Sequence, residues 1–111
     1  MMIASRSLRL REGLNEIVIA IHIFAPERHE NGAWSCRYEI GWPEGKETRC
    51  GWGVDSVQAI VLALQAIGTD IYTSNYHKSG DLFFVEPGKG YGFPVPITLR
   101  DLLSGDDAKY F

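Results

Sequence analysis

Apolar residues recur at steps of three and four over only one long stretch, where Val57, Ile60, Val61, Leu64, Ile67 and Ile71 form a single stripe and Gln65, Thr69 and Asp70 fall outside it. That spacing predicts an amphipathic helix whose apolar face is wide enough to bury against a sheet. Its start follows from cap chemistry. Asp55 can accept from the backbone N–H of Val57 or Gln58, and Gln58 can reach back to close a capping box, so the helix begins at Ser56. Before it the chain reads in steps of two. From Ile3 to Leu10, Leu8 and Leu10 take one side and Arg9 and Arg11 the other, as in an exposed first strand with a charged edge that blocks unwanted pairing. Glu12-Gly13-Leu14-Asn15 is a turn. From Glu16 to Phe24, Ile17, Ile19, Ile21 and Ile23 line one face and Val18, Ala20, His22 and Phe24 the other. A strand apolar on both faces is central, and its second face needs a cover, either the C-terminal segment or another subunit. Pro26 to Gly32 is a charged loop.

Turn chemistry sets the register of the next two strands. Pro43-Glu44-Gly45 fits a three-residue hairpin loop with Gly45 in the left-handed position. Trp42 then faces Lys46, and Ile40/Thr48, Tyr38/Cys50 and Cys36/Trp52 share one face while Glu39 opposes Arg49 on the other. Setting Cys36 opposite Cys50 would instead align Glu39 with Glu47 and Arg37 with Arg49, like charge against like. In the favoured register the two cysteines are diagonal neighbours, poorly placed for a bridge, and are expected as reduced thiols. Trp34, Cys36, Tyr38, Ile40, Cys50 and Trp52 make the seat for the helix.

After the helix, His77 to Asp81 reads as a polar turn and Leu82 to Val85 as a last strand, stopped by Pro87. Gly88 to Pro94 is glycine-rich, but Pro94 and Pro96 follow where a phosphate cradle needs a helix, so a surface loop is expected. Thr98 to Asp101 can cap a short helix through Leu103, and residues 104–111 form a tail from which Tyr110 and Phe111 can dock. The fold expected is α+β, a two-layer sandwich: an antiparallel sheet of about five strands with one long helix on one face and a short C-terminal helix, in a single domain over residues 1–111.

Composition changes this picture little. With 111 residues, 45% hydrophobic and 23% charged, the chain can bury a core without disulfides or a metal. A net charge of -3 and the absence of a Lys/Arg run disfavour general attraction to nucleic acid or anionic lipid. Met1 to Arg6 lacks the apolar core of a signal peptide, and no stretch nears the roughly 20 apolar residues of a membrane span, so a cytoplasmic, non-membrane protein is expected. No CxxC is present, and His29 and His77 lie apart from the cysteines, so neither a metal nor another cofactor is expected.

Trp34-x-Cys36, Gly51-Trp52-Gly53-Val54-Asp55-Ser56-Val57-Gln58-Ala59, Ala63-Leu64-Gln65-Ala66-Ile67-Gly68 and Gly92-Phe93-Pro94 together resemble an uncharacterised family of small bacterial proteins, a domain of unknown function. That resemblance covers most of the chain and implies a bacterial stand-alone domain with no catalytic assignment. A looser architectural likeness, a curved antiparallel sheet followed by a glycine, a small polar cap and an Ala-containing helix, is to HicB-type antitoxin domains, whose proline-glycine-cysteine segment before the helix is missing here.

Three functional readings stay open. The first is a non-enzymatic protein-interaction module, a homodimer or an immunity- or antitoxin-like protein, with Val18, Ala20 and Phe24 as its apolar centre, His22 beside them, and Arg37, Glu39 and Arg49 as a polar rim. The second is a small-molecule or anion site, or an enzyme, at the helix start near Trp52, Asp55 and Ser56, where free N–H groups attract negative charge. Asp55 weighs against it by occupying those donors itself, and no nucleophile with a neighbouring base is visible. The third is nucleic-acid binding through Arg6, Arg9 and Arg11, with Arg37 and Arg49 on a sheet face.

Overall fold

Alternation carries the first half of the chain into four long strands, and the computed structural model describes them within residues 1–111. The elements are β1 Met2–Glu12, β2 Asn15–Phe24, β3 Glu27–Arg28, β4 Trp34–Trp42, β5 Gly45–Gly53, α1 Ser56–Tyr72, α2 Asn75–Lys78, β6 Leu82–Phe83 and α3 Asp106–Tyr110, with a 3-10 turn at Ile97–Leu102. All strand pairings are antiparallel. β2 and the short β3 lie end to end along one edge of β4, and β5 runs along the other, giving β5, β4, β2 with β3, β1 and β6 across the sheet. Leu8, Leu10, Ile19, Ile21, Ile23, Cys36, Tyr38 and Ile40 point from one face into a core closed by Ala59, Ala63, Ile67 and Ile71 of α1. The α+β sandwich with its long helix is therefore as the alternation and periodicity require.

The hairpin between β4 and β5 is one residue tighter than its turn chemistry implied. Trp42 pairs with Gly45, which leaves Pro43-Glu44 as a two-residue loop, and Tyr38 pairs with Arg49, Cys36 with Gly51 and Glu39 with Thr48. A one-residue slip reverses the face of every side chain on a strand. Glu47, Arg49, Gly51 and Gly53 accordingly lie on the helix side, and Lys46, Thr48, Cys50 and Trp52 on the other. The two free cysteines fall on opposite faces, Cys36 buried beneath the helix and Cys50 half-buried on the open side. The reason lies in the helix. A Cβ on Gly51 would stand 2.3 Å from Ala63 N, and one on Gly53 2.6 Å from Ala59 N, so only a strand presenting glycines lets α1 settle this close.

The same closeness rotates the helix from its expected stripe. Ala59, Ala63, Ile67, Gly68, Ile71 and Tyr72 are buried, while Val57 is 66% exposed and Val61 exposed as well. Asp55 caps α1 as expected, its Oδ1 accepting from Gln58 N at 2.8 Å, but the Gln58 side chain accepts from Val54 N rather than from the cap residue.

Further expectations are corrected. β1 is an edge strand only in part: β2 flanks one side throughout, and β6 covers the other side at Arg9 and Leu10, leaving Met2 to Leu8 without a strand there. Arg6 leaves the expected basic strip, donating from Nη1 to Tyr91 O and Gly92 O with its guanidinium over the Phe84 and Phe93 rings. The last strand stops at Phe83 because Val85 takes a left-handed φ of 61°. The polar turn at His77 is a short helix, α2, capped by Ser74. Residues 88–95 are a packed strap instead of a surface loop, with Tyr91, Phe93 and Val95 buried and Pro94 O seated against Gly68. Residues 104–111, expected as a tail, form α3, and its Asp107 is 1% exposed, accepting from Tyr72 Oη, Tyr91 N and Gly92 N. This C-terminal segment covers the flank of α1, so the second face of β2 stays uncovered, with Val18 51% exposed.

Candidate functional site

β5 is the outer strand on its side of the sheet, paired only with β4. In a two-residue hairpin the closing residues exchange hydrogen bonds, and such pairs alternate along an antiparallel ladder. Gly45, Glu47, Arg49, Gly51 and Gly53 thus aim their backbone groups at β4, and Lys46, Thr48, Cys50 and Trp52 aim theirs outward. None of the backbone hydrogen bonds outside the helices and sheet involves any residue of β5. The outcome is a row of N–H and C=O groups at two-residue spacing with no partner in the chain, which is the template an extended polypeptide pairs with. The edge carries no proline and no bulge to blunt such a template, and its charges are Lys46, Glu47 and Arg49.

Beside the first half of this edge, on the helix side, lies an open cleft of about 680 Å³ lined by Trp42, Glu44, Glu47, Asp70 and the α1–α2 junction from Thr73 to Tyr76. The Trp42 and Tyr76 rings stack at 5.2 Å with 19° between planes, and Tyr76 donates its hydroxyl proton to Glu44. Asp70 is held from two sides, accepting from Tyr38 Oη at 2.5 Å and from Arg49 Nη1 at 2.9 Å. Burial and then the bond to Asp70 push the Tyr38 hydroxyl well above its ordinary range, so it remains a donor. Glu47 is raised too, first by burial and then by the negative charge of Asp70, with Arg49 opposing. Of the three carboxylates that line the cleft only Asp70 has a salt bridge, to Arg49, so the cleft carries unbalanced negative charge. No group of three or more His, Cys, Asp or Glu side chains is arranged to hold a metal ion.

The uncovered sheet face continues from the same edge. Arg37 stacks its guanidinium 3.8 Å from the Phe24 ring centroid, and Glu39, across the ladder from His22, accepts from Lys46 at 2.9 Å with Arg37 at 3.4 Å. Lys46 chiefly, and Arg37 after it, hold Glu39 below the usual carboxylate range. Trp52 is 52% exposed and leans on His29 at 4.8 Å, whose Nε2 is 2.8 Å from Ser35 Oγ.

Of the residues singled out in the sequence, Phe24 and Arg37 meet directly, His22 neighbours Glu39, and Trp52 shares their face. Arg49 stands on the opposite side, joined to Asp70. Asp55 and Ser56 sit at the helix start, where the Asp55 carboxylate occupies the cap donor. The pattern singled out neither the outward backbone of Thr48 nor the carboxylates of Glu44, Glu47 and Asp70. The signal that finds them is the alternative two-residue reading of Pro43-Glu44, which puts Glu47 and Arg49 on the helix side.

The sequence matches the family model for a domain of unknown function, DUF6968, over residues 4–95, a span that holds the sheet from Ala4 onward and both α1 and α2 and stops short of the 3-10 turn and α3. No curated protein and no solved structure matches the chain. No helix is long and apolar enough to cross a membrane.

Proposed function

The chain belongs to the DUF6968 family, and from that premise we propose that it is a non-enzymatic protein-interaction module, working in the cytoplasm, that takes an extended strand of a protein partner along the outer edge of β5. The observation that carries this reading is the unpaired row of backbone groups at Lys46, Thr48, Cys50 and Trp52. Main-chain pairing supplies affinity in such complexes, and side chains flanking the edge supply selectivity. Here the flanks differ in kind, with the acidic cleft of Glu44, Glu47 and Asp70 on the helix side and Trp52, Cys50 and Lys46 on the open face.

The competing readings draw less support. An anion at the start of α1 would compete with the Asp55 carboxylate for its cap donor. For nucleic acid, most of the arginines have partners within the chain: Arg6 with the strap carbonyls, Arg11 over Phe83, Arg37 over Phe24 and Arg49 with Asp70.

Capture with the tagged wild-type protein and with Thr48→Pro, at moderate salt, tests the reading, because proline at an outward position removes a donor the added strand needs. A polypeptide retained by wild type and lost by Thr48→Pro is the expected result. Equal retention by both, or none by either, contradicts it.

A further inference from the structure

We infer that the strand added to β5 is β5 of a second copy of this chain, joined antiparallel about a two-fold axis at Thr48; this inference rests on the strand-addition reading. The reasoning is one of register. Outward backbone groups must meet outward backbone groups, so a symmetric pair places its axis on a residue of β5. An axis at Lys46, Glu47 or Arg49 sets that charged residue against its own copy, which is unfavourable. An axis at Cys50 sets Arg49 against Gly51 and Glu47 against Gly53, with no charge paired. An axis at Thr48 sets Glu47 against Arg49 of the second copy, and Arg49 against its Glu47, two opposite-charge pairs on one face.

That face is the helix side, the side of Asp70 and of the acidic cleft. Each copy therefore brings an arginine to the carboxylates that its partner leaves short of positive charge. Arg49 is already held in direction by Asp70 and its side chain is still 60% exposed, so it reaches across the axis without giving up its own bond. On the open face Thr48 meets Thr48 and Lys46 meets Cys50 of the second copy, and the two uncovered faces join into one. The homodimer pairs β5 from Gly45 to Gly51 and leaves only its Trp52–Gly53 end beyond the pairing.

Two measurements test the inference on the full chain. Residues paired across hydrogen-bonded positions have Cα atoms about 5.5 Å apart, within disulfide range. Thr48→Cys in a Cys50→Ser background is expected to form a covalent dimer on mild oxidation, whereas wild type, whose Cys50 faces Lys46, is not. In sedimentation, Glu47→Arg alone and Arg49→Glu alone are expected to lose the dimer, and an equimolar mixture of the two, each folded by circular dichroism, to regain it as a heterodimer. Wild-type crosslinking through Cys50 would overturn the Thr48 axis. A wild-type protein that stays monomeric at its highest attainable concentration would overturn the second-copy inference, while loss of a different captured polypeptide in Thr48→Pro would leave strand addition standing. A dimer that survives Thr48→Pro unchanged would overturn both.

Discussion

His77 shows how single residues tie the C-terminal strap to the rest of the fold. Tyr91 Oη lies 2.6 Å from His77 Nδ1 and 3.1 Å from Leu82 O, so one hydroxyl joins the strap to both α2 and β6. Burial lowers the His77 pKa below its ordinary value, which means the folded state favours the neutral ring. On acidification the unfolded chain takes up this proton first. The contribution of His77 to stability is therefore complete above the unfolded value of about 6.5 and is lost as the pH falls from there through the lower folded value. The difference in urea midpoint between wild type and His77→Gln, followed from pH 7 to pH 5, is expected to shift against wild type as the pH falls; a constant difference would contradict this assignment. Neighbouring Asp107 was not legible in the sequence. Ser104-Gly105-Asp106-Asp107 has the composition of a helix breaker, and only the donors of Tyr72, Tyr91 and Gly92, far away in sequence, make a buried carboxylate affordable there.

At the scale of elements, the strands and the long helix were legible because burial on one face imposes a period, and Asp55 marks the start of α1 where cap chemistry places it. What the period does not contain is how near two elements approach. The apolar stripe of Val57 and Val61 was the natural face to bury, yet Gly51 and Gly53 admit the smaller Ala59 and Ala63, so the helix turns those valines outward. The register failed for a related reason. Pro43-Glu44-Gly45 has the chemistry of a three-residue loop, because proline cannot take the positive φ of the favoured two-residue turns, and the charge pairing of Glu39 with Arg49 agreed with it, whereas glycines facing α1 decide for the tighter loop. Gly51→Ala should push the helix off the sheet and lower unfolding stability by about 2–3 kcal/mol, in the range of overpacked cores. The added methyl would meet the helix backbone at Ala63 N and Ala59 O, which no truncation of a side chain in α1 relieves; a Gly51→Ala variant as stable as wild type in urea unfolding would mean that strand and helix are not in this contact.

For the whole molecule, the slip of one residue is what gives the edge its character. It places Glu47 and Arg49 beside Asp70 on the helix side and leaves Lys46, Thr48, Cys50 and Trp52 to present their backbones outward. The candidate site was for that reason only partly legible: Phe24, Arg37, His22 and Trp52 share a face, but the acidic cleft depends on the true register and on Asp70, which lies outside the helix's apolar stripe. Residue-resolved amide exchange along β5, at low and at high protein concentration, tests the edge most directly. Glu47, Arg49 and Gly51, bonded to β4, should be protected at both concentrations. Thr48 and Cys50 should exchange freely when dilute and become protected when concentrated, as outward amides do when a strand covers them; free exchange of both at every concentration would contradict the pairing of β5 with a second copy.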